Sequence, residues 1–389
     1  MKIRVGVFFG GASVEHEVSI ISASQTINAL DKKKYKIVPV YITKDKEMYT
    51  GKRLLNIKYF KNIDKLLKKI TRVQLVKIKD EFVLKSLSPF KKSEKIDIAF
   101  PVVHGNGEDG TLQGFFEMIG VPFTGCDVKG AVVGQDKIYM KMLFKENKIP
   151  TTNFISFVSS DYETNEEKVI ERTKSLRYPL FVKPSSLGSS VGISRVNNKK
   201  ELIDAIEEAI QYDKRIIIEE GVSNLVEVNC SVLGDYENQR TSDIEEVMGN
   251  DEFLSFKDKY LSGGSSKNGS KSGMASTNRI IPARIDSSLI EEVEETAKKV
   301  FKLLDTSGVC RIDFLIDKVK KQVYVNEINT IPGSLAFYLW ESININFEEL
   351  VNEIVEISIK REREKEKLIF TYDSNILNNF NGAKASKLK

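Results

Sequence analysis

Cysteine is scarce in this chain of 389 residues, which has three. Cys126, Cys230 and Cys310 lie far apart, with no CxxC pair among them. That argues against a disulfide framework or a zinc site and fits a reducing compartment. Histidine is scarcer still: only His16 and His104 occur, too few for a histidine-rich metal centre. No apolar run reaches the roughly 18 residues of a membrane-spanning helix. The apolar start, Met1–Phe9, runs directly into glycines without the length or cleavage pattern of a signal peptide. Charge of one sign is also lacking. With 59 Lys+Arg against 55 Asp+Glu and a net charge of +4, there is no strong electrostatic case for nucleic acid. These absences point to a cytoplasmic protein with no nucleic-acid or membrane partner.

What is present is globular. The hydrophobic fraction is 41% and the charged fraction 29%, and the length exceeds what one core supports. Lys2–Phe9 reads as a buried strand, followed by a glycine pair, a helix over 18–30 and a strand over 37–42. That order begins an open parallel sheet. Ile96–Val103 is a further buried strand, and the Lys-rich stretch 52–95 reads as irregular elaboration. A helix over 136–147 opens a second unit. Four strands near 153–157, 180–182, 192–196 and 215–219 alternate there with helices over 166–175 and 199–210. A third unit has strands over 226–233, 309–316 and 322–326 and an amphipathic helix over 287–304. The expected division is 1–130, 131–225 and 226–362, with a polar tail over 363–389. The Gly/Ser-rich stretch 262–276 reads as a loop.

The chemistry concentrates in a few segments. Arg311-Ile312-Asp313-Phe314 and Tyr324-Val325-Asn326-Glu327-Ile328-Asn329 both have strand character, with a turn between them. On paired antiparallel strands, Asp313 faces Glu327 and Asn329, which share one face because they differ by two. Two carboxylates and an amide oxygen are hard ligands suited to Mg²⁺, which takes its remaining ligands from water and phosphate. Lys183 closes an apolar strand and leads into Pro184-Ser185-Ser186-Leu187-Gly188-Ser189-Ser190. Small residues there let backbone N–H groups approach a phosphate, although no GxxxxGK[ST] loop occurs. Ile216–Val222 is an apolar strand ending in Glu219 and Glu220, with Glu227 beyond, a pattern that suits a nucleoside or simply a strand running out into solvent. In the first unit, Gly10-Gly11 feeds a helix that Ser13 is placed to cap, with Glu15 and Glu17 in its first turn. His16 reads as an exposed helix residue. His104, at the end of a buried strand before a glycine turn, reads as a site residue.

Taken together, GGxSxEHEVS, HGxGEDGTxQG, KPSxxGSSVG, RIDF and NEINTIPG resemble the D-alanine–D-alanine ligase family of the ATP-grasp superfamily, over roughly residues 1–360. The resemblance implies an α/β (α+β) three-domain ATP-grasp fold, with ATP between the central and C-terminal domains. It implies that Lys137 and Lys183 contact nucleotide phosphates, and that Glu219, Glu220, Val222 and Glu227 form the adenine and ribose side. Asp313, Glu327 and Asn329 would bind two Mg²⁺, for which Mn²⁺ substitutes. Glu15 would anchor the ammonium of the first D-alanine, hydrogen-bonded in a set with Ser189 and Tyr260. Lys259 and Tyr260 would belong to a loop that closes over ATP. His104 would lie near the first substrate's carboxylate, and Arg311 with the Gly333 N–H would face the oxyanion. The family commonly forms homodimers.

Two stretches depart from the family's pattern. Ser334–Glu341 is shorter and more apolar than the Thr/Ser-rich stretch that contacts the second substrate, and the loop after Tyr260 is unusually rich in glycine and serine. The acceptor is therefore the open partner: D-alanine first, with D-serine or D-lactate as alternatives. A nucleotide-binding module without catalysis is the reading from another class. Against it stands the joint presence of Arg311, Asp313, Glu327 and Asn329.

Overall fold

The computed structural model describes residues 2–188, 191–248, 279–371 and 374. Strand β1 (Ile3–Gly10) carries Val5, Val7, Phe8 and Phe9, all buried. A strand buried on both faces needs parallel neighbours covered by helices. Accordingly, β1 pairs in parallel with β2 (Tyr35–Ile42) on one side and, on the other, with the last strand of its sheet, which spans Ile98–Val103. The rest of this seven-stranded sheet is antiparallel: β3 (Met48–Thr50), β4 (Thr71–Ile78), β5 (Glu81–Ser86) and β6 (Glu94–Ile96) extend it beyond β2. Ile98–Val103 is β7. The stretch expected to be irregular over 52–95 thus supplies three strands. Their period-2 burial, Val73 and Leu75 in β4 against Leu84 in β5, was hidden among lysines.

The second sheet orders β10-β9-β11-β8, with β8 Phe154–Val158, β9 Leu180–Pro184, β10 Ser194–Val196 and β11 Arg215–Glu220. Helices Glu166–Thr173 and Lys199–Ala209 pack on it, close to the positions that the sequence pattern indicates. The third sheet orders β14-β13-β12-β15-β16. Its strands are β12 Leu225–Gly234, β13 Gln239–Val247, β14 Arg279–Ile280, β15 Gly308–Asp317 and β16 Gln322–Asn329. Helix Ser287–Leu303 covers one face through Leu289, Val293, Ala297 and Val300. The other face is left for chemistry. Strand β13 escaped sequence reading because its sequence, QRTSDIEEV, is polar.

Helix Phe347–Lys365 begins with a capping box between Asn346 and Glu349. It runs on through the charge cluster that reads as the start of a tail. Leu350, Val351, Ile354 and Val355 join the same core as the first sheet. The charges of its last turns are tied down: Lys360 pairs with Asp235 and Glu237, Lys365 with Glu117, and Arg361 donates to the carbonyls of Phe123 and Gly125. The cysteines Cys126, Cys230 and Cys310 are free and buried. Arg361→Ala is expected to lower the unfolding free energy by about 2 kcal/mol, because two backbone acceptors lose their donor. A lowered urea midpoint at unchanged slope is the measurement.

Candidate active site

Gly10 ends β1 at φ +97°, where a Cβ would meet the Ile42 carbonyl oxygen at 2.2 Å. Only glycine turns there, and the turn sets the entry to helix His16–Ala29. His16 is fully buried, contrary to the exposed position expected of it. Its Nδ1 donates to the Gly11 carbonyl at 2.6 Å and its Nε2 accepts from the Tyr41 hydroxyl at 3.0 Å. The ring is a brace for the glycine turn. Ser13 does not cap the helix; its hydroxyl accepts from the Glu15 N–H at 3.0 Å, and Glu15 holds the N-cap position. Glu15 is buried at 7% exposure. Two glycine loops close around its carboxylate. A Cβ on Gly105 would stand 3.0 Å from Oε2, and one on Gly188 3.4 Å. The loops after β7 and β9 therefore meet at Glu15.

Glu108, in the same turn as Gly105, was not singled out by sequence. Its carboxyl accepts from the Gly105 N–H at 2.7 Å. Burial and the neighbouring Glu15 carboxylate hold it well above the usual carboxylic range. The sequence signal was the GEDG of its motif. His104 is 4% exposed and bonds Ser22 Oγ through Nε2 at 3.0 Å, while Ser22 Oγ accepts from the Ser334 N–H at 2.9 Å. Burial pulls the imidazole pKa down to about 4, against a hydrogen bond to the Ile331 backbone that raises it. His104 is thus neutral at physiological pH.

The third sheet provides the opposite wall. Register pairs Glu245 with Asn229, Asn229 with Asp313 and Asp313 with Glu327, so these four side chains form one rung on one face. The pairing of Asp313 with Glu327 is the one the sequence implied. The adjacent rung holds Arg311 opposite Asn329. Arg311 grips Asp313 with two bonds of 2.7 Å, and Asn329 Nδ2 donates to Asp313 at 3.2 Å. Burial opposes the Arg311 charge, but Asp313 outweighs it and holds the guanidinium charged. A bulge falls beside this pair: Phe314 faces Val325 while Asp313 faces Glu327, so Asn326 is the extra residue. Asn326 and Glu327 consequently both reach the cavity, and Asn326 accepts from Lys183 at 3.5 Å.

Asp136 caps helix Lys137–Glu146 by accepting from the Ile138 and Tyr139 N–H groups, which fixes Lys137 in its first turn. Lys137 Nζ donates to the Leu187 carbonyl at 2.7 Å and lies 3.6 Å from Glu327. Lys183, at the end of β9, pairs with Glu219 at 3.2 Å. Lys141 and Thr152 also bind the Oε2 of Glu219, at 3.2 and 3.1 Å. Burial favours the neutral acid, yet the two lysines bring its pKa down to about 2. Glu220 points the other way, to Arg177 and Asn153.

A single cavity among all three sheets brings together Glu15, His104, Lys137, Lys183, Glu227, Arg311, Asp313, Glu327, Asn329 and Gly333. Glu219, Glu220 and Val222 lie outside its wall. Ser189, Lys259, Tyr260 and the stretch 262–276 lie outside the described residues. Glu108, Asn229, Glu245, Arg279, Asn326 and Tyr338 line it unannounced by sequence. Among the described residues no group of three or more His, Cys, Asp or Glu could by itself cage a metal. Asp313, Glu327 and Asn329 nonetheless fit Mg²⁺, because a hard-oxygen set that fills only part of the coordination shell leaves room for phosphate oxygens and water.

Lys183 on a four-stranded antiparallel sheet and Lys137 on the helix beside it, facing acids on a five-stranded sheet across a cleft, are the arrangement of an ATP-grasp ligase. The family model described as D-ala D-ala ligase N-terminus matches residues 4–126, and that for D-ala D-ala ligase C-terminus matches residues 143–356. The chain belongs to the D-alanine–D-alanine ligase family, whose members are ATP-dependent ligases. A D-alanine–D-alanine ligase of Thermosipho melanesiensis is 40% identical over 96% of this chain and 98% of its own. Among solved structures, the D-alanine–D-alanine ligase from Coxiella burnetii superposes with a TM-score of 0.79 at 28% identity, over 94% of this chain and 96% of that one. The VanG D-Ala:D-Ser ligase from Enterococcus faecalis superposes with a TM-score of 0.76 at 30% identity, over 92% and 100%.

Two outcomes follow from the buried charges. The stability gained by keeping His104 neutral is fully present above its ordinary pKa of 6.5 and is lost as pH falls toward about 4, where the folded ring also protonates. Unfolding free energy should therefore fall over that interval, and less steeply in His104→Gln. Lys141→Met should destabilise the protein by roughly 3–5 kcal/mol, because it strips a partner from the buried Glu219. Thermal and urea denaturation measure both.

Proposed function

We propose that this chain joins two D-alanines into D-alanyl-D-alanine for peptidoglycan precursor synthesis, consuming ATP through an acyl phosphate. The observation that carries the proposal is the cavity itself. Its wall joins Lys137, Lys183 and the paired Asp313 and Glu327 with Glu15, His104 and Arg311. Glu15 binds the ammonium of the first D-alanine. Lys137 and Lys183 hold the phosphates so that the substrate carboxylate attacks the γ-phosphorus and ADP leaves. Asp313, Glu327 and Asn329 hold two Mg²⁺, which when bound neutralise charge on the transferring group. The amine of the second D-alanine, once deprotonated, attacks the acyl carbonyl and phosphate leaves. Arg311, its orientation fixed by Asp313, stabilises the tetrahedral oxyanion together with the Gly333 N–H, a contact worth about 3 kcal/mol. The ATP requirement and the buried free cysteines support a cytoplasmic site of action.

D-serine is the second acceptor to test, because the Enterococcus faecalis D-Ala:D-Ser ligase has the same fold over most of the chain. Mass spectrometry of products from ATP with mixed D-amino and D-hydroxy acids decides between them. D-alanyl-D-alanine as the main product is expected, and no D-alanine-dependent phosphate release would sink the proposal. Asp313→Asn and Glu327→Gln should each lower turnover at least a hundredfold with circular dichroism unchanged; near-normal rates would remove the metal assignment. Glu15→Gln should raise the D-alanine requirement far more than the ATP requirement.

A further inference from the structure

Glu245 stands at the end of the cavity rung opposite Glu327. Its side chain is only 4% exposed, accepts from Asn229 Nδ2 at 3.1 Å and Tyr338 Oη at 3.0 Å, and forms an ion pair with Arg279, whose Nη1 lies 3.2 Å away. Arg279 opposite Val247 falls on the same face of the sheet as Glu245. Its guanidinium carbon lies 4.1 Å from the centroid of the Tyr338 ring, and its side chain is 13% exposed. The ring fixes the plane of the guanidinium while Glu245 anchors one nitrogen. Charge balance for Glu245 would need any cation. A stacked, planar arginine in the cavity wall is an arrangement for receiving a carboxylate in the fork.

Its position indicates which carboxylate. Arg279, Tyr338, Arg311 and Gly333 line the same cavity, with Arg279 stacked on the Tyr338 ring. Tyr338 is brought there by an unusual turn. After Gly333, the non-glycine residues Ser334, Leu335 and Ala336 all adopt left-handed backbone, with φ of 52°, 54° and 51°. Leu335, Ala336, Leu339 and Trp340 are buried in the core, and Trp340 Nε1 bonds Ser231 Oγ at 2.9 Å. Tyr338 alone of the departing stretch Ser334–Glu341 lines the cavity.

We propose that Arg279, set by Glu245 and Tyr338, binds the carboxylate of the acceptor amino acid and orients its amine toward the carbonyl held at Arg311 and Gly333. This rests on the ligase activity proposed above. Arg279 is then a specificity-determining residue, and Glu245 and Tyr338 are positioning residues. The acceptor must carry a carboxylate, whether its nucleophile is an amine or a hydroxyl.

Hydroxylamine separates the two halves of the reaction. Its nitrogen attacks the acyl phosphate and displaces phosphate, giving D-alanine hydroxamate without any acceptor carboxylate. The full-length Arg279→Met protein should form hydroxamate from D-alanine and ATP, while its acceptor KM in dipeptide formation rises roughly tenfold to a hundredfold, the loss of charge-assisted hydrogen bonds. Its preference for D-alanine over D-alaninamide as acceptor should collapse. Arg279→Lys keeps the charge beside Glu245 but not the planar fork, and should also raise the acceptor KM. Tyr338→Phe keeps the ring and loses one bond to Glu245, and should raise it less. A wild-type acceptor KM in both arginine variants, or parallel loss of ligation and hydroxamate in both, overturns the assignment. Absence of hydroxamate from the wild-type protein overturns the activation chemistry instead.

Discussion

Four strands in antiparallel register, β13-β12-β15-β16, place Glu245, Asn229, Asp313 and Glu327 side by side on one face. Three carboxylates on one rung repel each other unless cations are brought to them. Much of the cavity is that balance. Arg311 takes Asp313, Lys137 approaches Glu327 from the second unit, and Arg279 takes Glu245. The same pairs that make the rung tolerable orient the groups that would handle phosphate, oxyanion and carboxylate.

The second sheet solves a related problem in a drier setting. Glu219 is buried with Lys141, Lys183 and Thr152 around it. Such a cluster contributes little net stability but fixes where Lys183 points. The helix His16–Ala29 works similarly from the first unit. His16 and Ser19 are spent on the glycine turn and on β7, with Ser19 Oγ donating to the Val102 carbonyl, so that Glu15 faces Gly105 and Gly188. A motif can thus set a scaffold residue beside one that lines the cavity: His16, expected to be exposed, is buried, and Glu15 reaches the cavity wall.

The long-range docking of the last helix has a similar logic. Its apolar residues complete the core of the first sheet, and its terminal charges find partners 123 to 248 positions away in sequence, at Glu237 and Glu117. Charge runs of that kind look like solvated tail because composition carries no information about distant partners.

Local pattern by itself determined the buried strands β1 and β7, the four strands and two covering helices of the second unit, and the pairing of Asp313 with Glu327. In each, period-2 or period-3.6 burial is written into neighbouring residues. The segments that resemble the ligase family were legible because each is contiguous in sequence, within a strand or at its end. Tertiary structure alone decided the rest. Strand β13 brings Glu245 to the cavity only through its pairing with β12, and the bulge at Asn326 appears only once two strands are paired. Glu108 acquires its raised pKa from burial and from Glu15, and Arg279 its orientation from Glu245 and Tyr338, partners that lie far off along the chain and close in space. Hydrogen bonds and charges act over a few ångströms, and the sequence alone does not show which distant residues come within that range.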